Sequence, residues 1–273
     1  MTSKTKKEYL IYKLSDDMKG STRIDAALFK KLDVKRGLRN EDGTGVLVGL
    51  TNIGNVVGYD RKEDGSLVPI EGELYFRGYE VKDLCHAIIR EDRFGFEEIA
   101  FLLLSGRLPD REELDEFSDL ILDNMPLEQK TLLHIIEMEG NDVMNILARS
   151  VLEFYTFDGN PDDVSRYNLM RQSIELISKF PTIIAYAYNM LRRKELGRTL
   201  HIRDARPDRS LAENFLYMLK GSGYTRLDAR TLDLLLILHS EHGGGNNSTF
   251  TVRVTSSTGT DTYSSIAAGI GSL

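Results

Sequence analysis

The densest group of residues able to do chemistry runs from His239 to Thr249, His-Ser-Glu-His-Gly-Gly-Gly-Asn-Asn-Ser-Thr. Two histidines and a glutamate close an apolar segment, and three glycines follow. Asn246 and Ser248 then open the next segment. An imidazole placed there can donate to a carboxylate or titrate near neutral pH. Glycines let the backbone approach a ligand closely, and the free N–H groups of a helix start favour anions. The pattern implies a corner for a small carboxylate or phosphate. It is equally compatible with a glycine-rich helix connection in which His239 and His242 are ordinary polar residues.

Other chemistries meet less support. His239 and His242 have the spacing of a zinc pair, but there is no H-E-x-x-H and no obvious third ligand. His242-Gly243-Gly244-Gly245 is similar to an esterase oxyanion strip, yet no G-x-S-x-G nucleophile elbow occurs. Gly43-Thr44-Gly45 is followed by strand-like residues and not a helix, so a dinucleotide loop fails on context. Cys85 and His86 are adjacent and cannot face each other on a helix, which makes Cys85 a small core residue. His134, on an apolar face, reads as a core histidine. Tyr186-Ala187-Tyr188 reads as packing.

The elements that must position the corner are helices. Asp110 with Glu113, and Ser210 with Glu213, have capping-box spacing ahead of apolar stripes. Pro126 is expected to open a helix, and 143–157 and 164–180 have helical periods. Pro181 is expected to break the chain before the pattern resumes at Ile183. Asp228 precedes an apolar helix from Ala229 to His239, and 261–273 has a further helical period. Residues 192–210 read as a long charged surface connection. Upstream of residue 80, glycines punctuate short β-branched pieces. Val46–Val48, Asn55–Tyr59 and Glu73–Arg77 are expected strands, with a turn at Glu63-Asp64-Gly65, and 21–32 is an isolated helix. The fold class is mainly α with a small β-rich N-terminal segment: residues 1–80 form the helix-and-strand piece and 81–273 the helical domain.

Composition bounds the partners. The 273 residues carry 35 basic and 42 acidic side chains, a net charge of −7, without the basic footprint of a nucleic-acid binder. The aliphatic run Leu234–Leu238 is far too short to span a membrane. With one cysteine there is no intrachain disulfide, and the compartment reads as cytoplasmic.

Five blocks in order carry a family resemblance. Glu71-Gly72-Glu73-Leu74-Tyr75-Phe76-Arg77-Gly78-Tyr79 resembles the entry segment of citrate synthases. The stretch from Phe96 to Pro109 resembles the family's E-E-V-x-x-L-L-x-G-x-L-P helix. Pro181–Tyr188 and Ala212–Met218 match two further blocks, and His239–Ser248 resembles the H-x-x-H-x-x-x-N-x-S substrate segment.

The resemblance implies a multi-helix large domain, part of a homodimer, that condenses acetyl-CoA with oxaloacetate to citrate and CoA. It implies no cofactor and no metal, with acetyl-CoA as a substrate. Within the same chemistry, 2-methylcitrate synthase would use propionyl-CoA. A reading of another class is a non-catalytic helical dimerisation module. Carried onto this sequence, His242 would bind oxaloacetate, Asn246 would shape the pocket, and His239 and Ser248 would support them. The enolising histidine, the ketone-polarising histidine and the catalytic aspartate of the family are expected beyond Leu273. The 273-residue chain is accordingly expected to be a fragment, inactive alone.

Overall fold

The structure is a computed structural model that describes residues 25–31, 40–43, 51–243 and 246–272. The chain divides into two compact units, Met1–Gly49 and Leu50–Leu273. In the first, the described residues form one short helix, α1 (Ala26–Lys31), entered where the Asp25 carboxylate accepts the Ala27 N–H at 2.9 Å. Of the expected 21–32 helix, Asp25 precedes α1 and residues 21–24 and 32 lie outside the described residues, as does the expected strand Val46–Val48.

The second unit opens with a three-stranded antiparallel sheet of order β1-β2-β3: β1 (Gly54–Arg61), β2 (Leu67–Phe76) and β3 (Tyr79–Glu80). Gly54 pairs with Phe76 and Arg61 with Leu67, with a register shift between Val57 and Tyr59. Asn55–Tyr59 and most of Glu73–Arg77 are strand as expected, and Gly65 turns between them at φ +84°. Ten helices follow among the described residues: α2 (Val81–Arg90), α3 (Phe96–Ser105), α4 (Arg111–Asn124), α5 (Gln129–Glu137) and α6 (Val143–Phe157) come first. Then come α7 (Arg166–Leu196), α8 (Leu211–Lys220), α9 (Arg226–Leu238), α10 (Asn247–Ser256) and α11 (Thr262–Ile270). The two capping boxes form as read, on α4 and α8.

Three apolar clusters hold these elements. The largest joins Val151 and Phe154 of α6, Ile183, Tyr186 and Met190 of α7, Met218 of α8 and Tyr263 of α11. A second joins Phe76 of β2 to Leu84 and Ile88 of α2, Ile99 and Leu102 of α3, and Ile237 of α9. The third packs Ala100 of α3 on Phe117, Ile121 and Leu211. Burying such a side chain contributes roughly 1.5–3 kcal/mol.

Several local expectations are corrected by packing. Pro181 does not break the chain: α7 is one helix of 31 residues with the proline inside it. The lost backbone bond costs about 3 kcal/mol. Ile183, Ala185 and Ala187, at 0% exposure just beyond it, bury enough apolar surface to offset that. Pro126 sits ahead of α5, which begins at Gln129. Asp228 is the third residue of α9, reaching back to Thr225 in a capping box. His134 is exposed, with Nδ1 2.5 Å from Glu153 Oε1 on α6. The 192–210 stretch is only partly a surface connection, because α7 continues to Leu196 and Leu200, Ile202 and Ala205 pack on the largest cluster.

Candidate functional site

The corner at His239–Ser248 is delivered by α9 and received by α10. On α9, Ala229, Asp233 and Ile237 follow one another at intervals of four and form its buried face. Asp233 is an acid on that apolar face at 0% exposure. Its two oxygens accept the Gly95 N–H at 2.8 Å and the Phe96 N–H at 3.1 Å, the first donors of α3. Gly95, the N-cap of α3, has no side chain of its own to cap with. Burial pushes the Asp233 carboxyl above its ordinary range, and the two N–H bonds pull it part of the way back. Glu97, buried one residue into α3, accepts the Leu211 N–H of α8 at 2.7 Å, and burial pushes its carboxyl up as well. Two buried carboxylates thus tie α9 to α3 and α3 to α8.

Beyond Leu238 the chain turns. His239 folds its Nδ1 back onto the Leu235 carbonyl at 2.7 Å, and Ser240 Oγ donates to Leu236 O at 2.7 Å. Gly243 has φ +85°, a left-handed conformation that a side chain would strain. Asn246 is the N-cap of α10, its Oδ1 accepting the Thr249 N–H at 2.9 Å. That bond fixes the orientation of the amide, so Nδ2 faces His242 Nε2 at 3.0 Å. An amide nitrogen can only donate, so Nε2 must accept and the neutral imidazole holds its proton on Nδ1. His242 is exposed. Its Nδ1–H is therefore left as a donor on an exposed ring whose other nitrogen meets the N-cap of α10.

Of the four site residues read from the sequence, His242 and Asn246 are in direct contact. His239 is turned to its own helix. Ser248 Oγ accepts from Ser272 Oγ at 3.0 Å, which ties α10 to the chain just past α11. Gly244 and Gly245 lie outside the described residues.

Asp233 and Glu97 escaped the sequence reading, although one acid inside the apolar run Leu232–Leu238 was a visible signal. A second buried assembly, around Asp158, had none. Its carboxylate accepts Arg171 Nη2 at 2.6 Å, Gln172 Nε2 at 2.8 Å, Tyr263 OH at 2.7 Å and the Asn160 N–H at 2.9 Å. Burial opposes its charge, but these four donors hold its carboxyl well below the usual carboxylate range.

A groove of about 1030 Å³ lies elsewhere, lined by Glu91, Glu98, Asp110, Asp115, Asp119 and Asp208 with Arg93, Arg111 and Arg209. Its acid excess is unsuited to an anionic ligand. Among the described residues no three His, Cys, Asp or Glu side chains converge to hold a metal, and no helix is long and apolar enough to cross a membrane.

A family model described as citrate synthase, C-terminal domain, matches residues 42–273. The citrate synthase of Haloferax volcanii is 34% identical over 209 residues, covering 74% of this chain and 51% of its own length. 2-Methylcitrate synthase 2 of Corynebacterium glutamicum is 30% identical over 248 residues, 88% of this chain and 57% of that protein. The crystal structure of citrate synthase from Pyrobaculum aerophilum superposes with a TM-score of 0.69 at 28% identity, over 86% of this chain and 56% of that one. The chain spans about half the length of the curated relatives it matches.

Proposed function

Since this chain belongs to the citrate synthase family, we propose that it serves a citrate synthase-type condensation of acetyl-CoA with oxaloacetate, and that its own part is to hold the oxaloacetate. The observation that supports this most is the His242–Asn246 pair at 3.0 Å on the N-terminus of α10. Asn246 spends its oxygen on the helix cap and its amide on Nε2, which leaves Nδ1–H as a directed donor. A carboxylate of oxaloacetate would accept from that N–H, with the positive end of α10 behind it. His239, turned onto α9, and Ser248, bonded to Ser272, are supporting residues in this reading. No residue of 1–273 is proposed as the acid or base of the condensation, so binding is the readout for this chain and turnover by it alone is not expected. No cofactor is proposed.

The propionyl-CoA reaction of 2-methylcitrate synthases is the alternative, supported by the Corynebacterium glutamicum relative. Both readings place oxaloacetate at the same corner. A homodimer is part of the proposal. The exposed Tyr167, Leu169, Met170 and Tyr188 give α7 apolar surface that a second copy would cover. Sedimentation of a clean monomer across a wide concentration range would remove the dimer.

Nuclear magnetic resonance of the His242 imidazole tests the binding proposal. Oxaloacetate should move its signals saturably, and pyruvate, with one carboxylate, should move them less. Signals unmoved by millimolar oxaloacetate would withdraw His242 from the site.

A further inference from the structure

Glu241 stands between the two histidines, and its position in the fold is unlike theirs. Its Oε1 accepts the Gly243 N–H at 2.6 Å, bridging over His242. Its side-chain stem lies against the backbone of Gly54, the first residue of β1. A Cβ built on Gly54 would lie 2.5 Å from Glu241 Cγ and 2.9 Å from Oε1. Gly54 and Gly243 are both buried, whereas His242 between Glu241 and Gly243 is exposed. A Cβ built on Gly243 would likewise lie 3.8 Å from Val56 and 3.9 Å from the Gly54 carbonyl, which places Gly243 beside the start of β1. The residue before His242 and the residue after it are therefore both seated on β1.

We propose that Glu241 is a positioning residue of the corner. Its carboxylate holds the Gly243 N–H, and its stem, seated on Gly54, sets the direction in which His242 leaves the chain. The left-handed φ of Gly243 is a conformation the backbone can leave easily, because glycine has many alternatives. The bridge across His242 removes that freedom. With the turn fixed, Nε2 meets Asn246 and Nδ1–H keeps one heading. Glu241 touches no ligand in this arrangement and acts through His242 alone. The inference rests on the reading of the corner as an oxaloacetate site.

Amide exchange and calorimetry on the 273-residue chain test it together. In E241A the Gly243 N–H should exchange at least about tenfold faster, and oxaloacetate should bind about tenfold more weakly, as expected for loss of one hydrogen bond to a charged group. E241Q keeps an acceptor oxygen and should restore most of both. G54A should reproduce E241A with the carboxylate still present, because the new methyl displaces its stem. Matched melting curves for the four proteins exclude a general loss of fold. Wild-type exchange and affinity in E241A would overturn the proposal, and so would a harmless G54A. Absence of oxaloacetate binding in the wild type would instead sink the reading of the corner, leaving the exchange of Gly243 to decide the role of Glu241.

Discussion

The surroundings of Asp158 and of His242 use the same chemistry to opposite ends. Asp158, with a side chain 3% exposed, has four donors from Arg171, Gln172, Tyr263 and the Asn160 backbone. It joins the end of α6 to α7 and α11, and nothing of it is left for a ligand. His242 is exposed, meets Asn246 among the described residues, and precedes α10, a helix with no fully buried residue. Polar capacity used up inside the molecule fixes a fold. Polar capacity left directed outward is available to bind.

Removing Asp158 should break the first region outright. Asp158→Ala leaves the Arg171 cation and the Tyr263 hydroxyl without their acceptor. It should cost about 3–5 kcal/mol, read by denaturant unfolding. A loss below 1 kcal/mol would mean that the assembly is not what holds α11.

Asp233→Asn should cost less, about 1–3 kcal/mol, because the amide keeps one acceptor for two N–H groups. It should also change how stability falls as pH rises. The Asp233 carboxyl is raised by burial, so its stabilising contribution is complete below the ordinary carboxylate range and fades as pH rises through its folded value. Asp233→Asn should remove that fall. An unchanged pH profile above the ordinary carboxylate range would contradict the assignment.

The corner should respond in the reverse sense, with little change in stability and a large change in chemistry. Asn246→Asp keeps a good N-cap, so unfolding should shift by less than about 0.5 kcal/mol. An acceptor then faces Nε2, and the imidazole proton should move there or the ring should charge. Nitrogen-15 shifts of His242 report this directly, and an unaltered Nδ1–H tautomer would break the argument. Smallest of all, His134→Ala should leave stability within about 0.5 kcal/mol, since its contact with Glu153 is exposed on the histidine side.

Local rules made part of this structure legible in advance. Asp110 with Glu113 and Ser210 with Glu213 act within one turn, so spacing was sufficient to see them. Asn246 was legible as the opening of the next helix, where it caps α10 within one turn, but its contact with His242 was not read from the sequence. Pro181 misled because its local cost is offset by α6 and α8 packing against the far half of α7. Asp233 meets its partners 137 and 138 residues away in sequence, and Tyr263 meets Asp158 across 105. No spacing rule reaches that far. His134 was misread because an apolar neighbourhood in sequence says nothing of whether another element covers it.

Calorimetric titration of the 273-residue chain with oxaloacetate, in parallel with His242→Ala, tests the central claim most directly. The wild type should bind saturably. In the variant the affinity should fall about ten- to a hundred-fold, the loss of roughly 1.5–3 kcal/mol from a charge-assisted hydrogen bond, with unfolding unchanged. Equal affinity in the two proteins, or no binding by the folded wild type, would contradict it.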